Sequence, residues 1–142
     1  VNVRSATLAD ADSIASLLEE LGYPSSAADV SRRLATMIAV DGQSTLVAGG
    51  ADGIVGLANV QRLPVLHSNL PVAQLMLIVV AQRARRRGIG RILVAAAERW
   101  AVEQGCTRML VTSGEERAEA HAFYEAIGYH HYARRFSKRI GS

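Results

Sequence analysis

Apolar residues come in blocks whose period changes along the chain, and each change marks an element. Val1 to Ser5 alternates as a short strand. Ile14, Leu17, Leu18 and Leu21 then recur at helical spacing behind Thr7-Leu8-Ala9-Asp10, a capping-box pattern with Asp in the fourth place. Gly22 stops that helix. Ser26-Ala27-Ala28-Asp29 repeats the cap, and Val30, Leu34, Met37 and Ile38 predict a second helix before Asp41-Gly42. Thr45 to Gly49 and Ile54 to Leu63 read as strands joined through the glycine-rich hairpin Gly49 to Gly53, and prolines mark a loop from Pro64 to Pro71. Leu75 to Ala81 is apolar at every position, the pattern of a strand covered on both faces. Ile89, Leu93, Ala96, Ala97 and Trp100 follow on one face of a helix that Gly105 ends, and Arg108 to Thr112 is the next strand. Ser113-Gly114-Glu115-Glu116 caps a further helix with Ala120, Phe123 and Ile127 inward and Gly128 as its stop. Tyr129 to Lys138 reads as a final strand-like segment. The order is β-α-α-β-β-β-α-β-α-β, a mixed α/β fold over residues 1–142 as a single domain.

Composition narrows the class. With 142 residues, 49% of them apolar, the chain can bury a core of its own. No apolar run approaches the roughly 20 residues that span a bilayer, so no membrane partner is expected. No signal peptide is evident at VNVRSATLADAD. The single cysteine, Cys106, has no internal partner and reads as a small buried hydrophobe. Together these point to a cytoplasmic protein. The net charge is only +3, yet arginine gathers at 83–91 and 134–139. Such patches suit a phosphorylated cofactor or a nucleic acid.

The most informative stretch joins the apolar strand to the helix after it. Arg83, Arg85, Arg86, Arg87 and Arg91 surround Gly88-Ile89-Gly90. A strand, a basic glycine-containing turn and a helix N-terminus together make an anion site: glycine lets backbone approach the ligand, and the first helical turn offers unpaired N–H groups at a positive dipole end. The spacing excludes two common phosphate loops. A dinucleotide fingerprint needs a third glycine where Leu93 stands, and a P-loop needs Gly-Lys-Ser/Thr, whereas the one lysine is Lys138.

Arg85-Arg86-Arg87-Gly88-Ile89-Gly90 matches Q/R-x-x-G-x-G/A and resembles the coenzyme A pyrophosphate loop of the GNAT N-acetyltransferase superfamily. A second segment, Ala120-His121-Ala122-Phe123-Tyr124-Glu125-Ala126-Ile127-Gly128-Tyr129, resembles that family's A-x-x-F-Y-E-x-x-G-F/Y motif. The resemblance covers nearly the whole chain and implies a GNAT-like fold with a splayed central sheet. It implies a cofactor site formed by Arg85, Arg86, Arg87, Gly88, Ile89, Gly90 and Arg91, with the backbone of Ile78, Val79 and Val80 along the pantetheine arm and Val80 near a strand-splaying bulge. It also implies that Tyr124 belongs to the cofactor site and protonates the departing thiolate, for which a phenol of pKa about 10 is suited. The expected cosubstrate is acetyl-CoA, the partner an amine acceptor, and the assembly a homodimer. The asparagine common about seven residues before the tyrosine is replaced here by Arg117 or Glu116.

The base that takes the amine proton is less legible. Many relatives carry a carboxylate near the start of the central strand, where this chain has Gln74. His67, His121, His130, His131, Glu19 and Glu20 remain, with His121, three residues before Tyr124, the first choice. No metal site is expected, since the adjacent His130 and His131 would point to opposite faces of a strand. Acceptor recognition is expected from Leu21 to Ser26, the Pro64–Pro71 loop and the C-terminal segment, which hold Tyr23, His67, Asn69 and Tyr132. A non-catalytic acyl-CoA-binding regulatory module is the competing reading. A nucleic-acid reading of the arginines is disfavoured, because no aromatic residue interleaves with Arg83 to Arg91.

Overall fold

A computed structural model describes residues 1–112, 118–131 and 136–141. The chain divides into two units, Val1–Val111 and Thr112–Ser142.

The first unit is built on one five-stranded sheet in the order β1-β2-β3-β4-β5. Strands β1 (Asn2–Ser5), β2 (Gln43–Gly50), β3 (Gly53–Leu63) and β4 (Val72–Val80) are antiparallel neighbours, and β5 (Met109–Val111) runs parallel to β4. Gly50 faces Gly53 across a two-residue turn, where Gly53 at φ +87° takes a conformation that side-chain-bearing residues resist. Residues Val55 to Val60 of β3 are buried without interruption, so both faces of the sheet are covered at its centre.

Helix α3 (Ile89–Glu103) covers one face through Ile89, Leu93, Val94, Ala97 and Ala101, all buried. It packs tightly over Gly56, where a Cβ would stand 2.9 Å from Leu93 Cδ1 and 3.1 Å from Ile89 Cγ2. Helices α1 (Ala11–Leu21) and α2 (Ala27–Ile38) bury Ile14, Leu17, Val30 and Leu34 on the other side. Ser26 caps α2 by accepting the Asp29 N–H at 3.0 Å, as its sequence predicts.

Several boundaries differ from the sequence reading; β2 is longer and β5 shorter than expected, and three other differences bear on the site and its surroundings. The Thr7–Asp10 cap opens a short 3-10 turn, Leu8–Asp10, before α1 begins. Asp10 explains it: its carboxylate accepts the Thr7 N–H and both terminal nitrogens of Arg4, each at 2.8 Å. The central strand starts at Val72 rather than Leu75, because Gln74 continues the ladder opposite Gln61. The final strand-like segment is not seen in its described parts. Tyr129–His131 and residues 136–141 are irregular, lacking a ladder partner among the described residues. Residues 132–135, and the Ser113–Glu116 cap, lie outside the described residues.

In the second unit, α4 (Ala118–Ala126) ends as its glycine predicts. Gly128, at φ +99°, donates to Glu125 O at 3.2 Å and Tyr129 donates to Tyr124 O at 2.9 Å, closing the last turn.

Candidate active site

Two backbone hydrogen bonds of β4 reveal how a slot is opened in the sheet. Ala73 N–H donates to Arg108 O, leading into β5, while Ala81 N–H donates to Val55 O, leading into β3. In a regular strand, residues an even number apart present their N–H groups to the same side. Ala73 and Ala81 do not, so one extra residue lies between them. The ladder locates it: Asn59 faces Leu77 and Val60 faces Leu75, leaving Met76 without a partner in β3. The irregularity therefore sits at Met76, four residues before the Val80 position that the family resemblance suggested.

The consequence is chemical. Past the bulge, alternation turns the N–H and C=O groups of Ile78 and Val80 toward the β5 side, and those of Val79 into β3, opposite Leu57. Pairing with β5 ends at Leu75–Val111. Among the described residues no strand pairs with β4 on that side from Leu77 to Val80. Met76, half exposed, stands where the slot closes.

Beyond β4 the chain makes a 3-10 turn, Gln82–Ala84, with Ala84 buried. Glu20, near the end of α1, accepts the Gln82 N–H at 2.8 Å. Arg85 Nε returns to the Val80 carbonyl at 3.2 Å. Arg86 then takes φ +65° and Gly88 φ +76°, and α3 starts. The first intrahelical bond comes from Ile92 N–H to Gly88 O, which leaves the Ile89, Gly90 and Arg91 N–H groups without helical acceptors. No side chain caps this end and no acidic residue occupies its first turn. Arg83, Arg85, Arg86, Arg87 and Arg91 are all exposed, and none forms an ion pair among the described residues. A Cβ on Gly88 would meet nothing within 4 Å, so this glycine serves the backbone turn and the open approach rather than packing.

Free amides, the positive end of a fifteen-residue helix and guanidinium groups that meet no carboxylate among the described residues form a donor set, although Arg83 donates to Ile54 O at 3.4 Å and Arg85 to Val80 O. This set fits a diphosphate, with the slot along Ile78 and Val80 leading away from it. The structure thus brings the loop residues, Ile78 and Val80 to one edge of the first unit; Val79, expected along the same arm, instead turns its backbone groups into β3 opposite Leu57.

Tyr124 and His121 lie on α4 in the second unit. The Tyr124 ring meets Tyr129 edge-on at 5.9 Å and Phe123 at 5.3 Å, and the His121 ring stands 5.5 Å from His131. Cys106 is buried between α3 and β5. Burial pushes its thiol up, with the Arg62 charge acting against it, so it is a poor nucleophile at neutral pH. Among the described residues no cluster of His, Cys, Asp and Glu is arranged to hold a metal ion, and no helix is long and apolar enough to cross a membrane.

Sequence reasoning missed a polar patch in the sheet. Asn59, buried in β3, donates through Nδ2 to Gln43 Oε1 and Thr45 Oγ1, each at 3.0 Å. The signal was a break in the apolar alternation at Thr45, Asn59 and Gln61, visible only once the register aligned them.

Comparison with known proteins places the chain in a class. Residues 12–129 match the family model described as acetyltransferase (GNAT) family, and the chain belongs to that family. It is an N-acetyltransferase. It is 34% identical over 132 residues to an aminoglycoside N(6')-acetyltransferase type 1 of Stenotrophomonas maltophilia, covering 89% of this chain and 84% of that protein. In structure it resembles a GNAT family acetyltransferase from Staphylococcus aureus, with TM-score 0.84 and 21% identity over 98% of both chains. It also resembles the aminoglycoside N-acetyltransferase AAC(6')-Iy in complex with CoA, with TM-score 0.87 and 20% identity over 98% of this chain and 93% of the other. At these identities the two structures speak for the fold alone.

Proposed function

We propose that the protein moves an acetyl group from acetyl-CoA directly to a primary amine of a small molecule or peptide, with an amino sugar of the aminoglycoside kind the first acceptor to test. The observation that carries the cosubstrate is the α3 N-terminus: three orphan N–H groups, no acidic residue in the first turn and five exposed arginines around them, none in an ion pair among the described residues. The aminoglycoside-acetylating relative supports the acceptor class.

In this reading the Ile89, Gly90 and Arg91 N–H groups hold the diphosphate, and Arg85, Arg86 and Arg87 neutralise its charge. The Ile78 and Val80 backbone holds the arm in the slot below. Their N–H groups are also preorganised donors for an oxygen that gains charge during transfer. The amine nitrogen forms a bond to the acetyl carbon as the carbon–sulfur bond breaks. The nitrogen loses one proton to a base or water, with His121 the candidate base, and the sulfur gains one from Tyr124. Direct transfer is preferred to a relay because Cys106 is buried and its thiol is pushed up. The cytoplasm and a homodimer remain part of the reading.

Steady-state acetylation of an amine panel with acetyl-CoA tests it. Coenzyme A release that depends on one amine supports transfer. Cofactor binding without acetylation of any amine favours the regulatory module instead.

A further inference from the structure

Three glutamines stand side by side across three strands. Gln43 of β2 faces Gln61 of β3, and Gln61 faces Gln74 of β4. One pair further along, Thr45 faces Asn59. All five lie on the sheet face opposite α3, since Gly56 meets Leu93 and Ile89 and Asn59 is three residues on, with its side chain on the other face. Elsewhere this sheet centre is apolar, so a polar patch there requires satisfied hydrogen bonds.

The bonds have a direction. Asn59 Nδ2 donates to Gln43 Oε1, Thr45 Oγ1 and, at 3.3 Å, Ser44 O; Thr45 Oγ1 donates to the same Gln43 Oε1 at 3.0 Å. Gln61 Nε2 donates to Asn59 Oδ1 at 3.4 Å. Gln43 Oε1 is thereby filled by two donors, which leaves its Nε2 to donate outward. Gln61 uses a donor inward, which leaves its Oε1 to accept. The patch thus offers a donor and an acceptor on adjacent strands, roughly 5 Å apart, and carries no charge of its own.

Its place in the sheet gives this patch a function. Gln74 immediately precedes Leu75, the last β4 residue paired with β5, and Asn59 faces Leu77, the first residue past the bulge. The row therefore runs up to the closed end of the slot, where an acetyl group carried along Ile78 would finish.

We propose that Gln43 and Gln61, held by Thr45 and Asn59, form with the neighbouring Gln74 the floor that receives the acceptor, and that Gln43 and Gln61 read the hydroxyl groups beside its amine. The inference rests on the acetyl-transfer reading above and specifies the acceptor: an amine on a hydroxyl-bearing skeleton, matched by paired neutral donors and acceptors. A simple alkylamine leaves both glutamine ends without ligand partners. These are specificity residues, not catalytic ones.

Two ligands of one shape separate the contributions: 6-amino-6-deoxyglucose and cyclohexylmethylamine, each an aminomethyl group on a six-membered ring, with and without hydroxyls. Their affinities are measured by NMR titration with coenzyme A present, for the native protein, Gln61→Leu and the volume-matched Gln61→Met. The native protein is expected to favour the amino sugar. Either variant is expected to lose roughly threefold to tenfold in affinity for the sugar, the range of one hydrogen bond, with cyclohexylmethylamine and coenzyme A affinities unchanged. Equal losses for both amines, no loss for the sugar, or no native preference overturns the proposal. Failure of the acetyl-transfer reading shows separately, as absence of turnover with acetyl-CoA while amine binding persists.

Discussion

Glu20 Oε1 accepts the backbone N–H of Gln82 at 2.8 Å, joining residues 62 positions apart and tying the end of α1 to the turn that leads into the arginine loop. The bond satisfies the first orphan donor of that turn and fixes where the loop starts. Glu20 also appears among the candidate bases of the sequence reading. The structure gives it an acceptor's task at the turn into the arginine loop. Replacing Glu20 by Ala is expected to weaken acetyl-CoA binding by roughly threefold to tenfold, the scale of one charge-assisted hydrogen bond on an exposed loop. Glu20→Gln, which keeps an acceptor oxygen, is expected to recover most of that loss. Calorimetry on both variants checks the pair of outcomes, and equal behaviour of the two would deny the bond its role.

Two glycines are expected to fail in different ways. At Gly56 a Cβ would press on Leu93 Cδ1 at 2.9 Å and Ile89 Cγ2 at 3.1 Å, so Gly56→Ala is expected to cost about 1–3 kcal/mol by overpacking. At Gly88 a Cβ meets no neighbour, and only the positive φ of +76° is strained. Gly88→Ala is expected to cost about 1 kcal/mol of stability yet reduce acetyl-CoA affinity at least about tenfold, through crowding of the anion. Urea denaturation beside calorimetric titration separates the two costs.

Acid is expected to loosen the N-terminal corner before the rest. The Arg4 guanidinium, with the Thr7 N–H, holds the Asp10 carboxyl at about 2, below its ordinary 3.8. A carboxyl depressed in the folded state adds stability that is fully present above the ordinary value and is lost as pH falls from about 3.8 through about 2. Asp10→Ala is expected to lower stability at pH 7 by about 1–2 kcal/mol, as for a lost helix cap, and to lose the part of the acid transition in that window. Thermal melts of both proteins between pH 2 and pH 7, at steps of about half a unit, compare the two profiles.

Turnover is expected to depend on a phenol and not on the thiol. Tyr124→Phe keeps the ring that meets Tyr129 at 5.9 Å and removes only the hydroxyl. With direct transfer, kcat is expected to fall more than about tenfold while acetyl-CoA affinity holds. Cys106→Ala is expected to leave turnover intact and cost stability alone. The reverse pattern would point to a covalent relay.

The sequence made the strand–loop–helix legible because it states its chemistry locally. Nine residues carry five arginines and two glycines, and the short apolar run before them has the length and β-branched content of a buried strand. Gly22, Ser26 and Gly128 act where they stand in the chain, so the caps and stops they imply are found in place. What sequence periodicity hides depends on partners. The bulge at Met76 leaves no mark in a run where every residue is apolar, and it emerges only from the opposite directions of the Ala73 and Ala81 amides. The glutamine row is hidden for the same reason. Gln43, Gln61 and Gln74 are far apart in the chain, and register alone makes them neighbours. Gln74, read from sequence as the absence of a base, belongs to that row.

The measurement that tests the central claim most directly is calorimetric titration with acetyl-CoA of the native protein and of Gly88→Trp. The indole would project into the open approach beside the Ile89, Gly90 and Arg91 amides. Saturable binding of one acetyl-CoA per chain in the native protein, abolished in a variant that still folds, is the expected result. Undiminished binding in Gly88→Trp, or none in the native protein, would contradict an anion site at the start of α3.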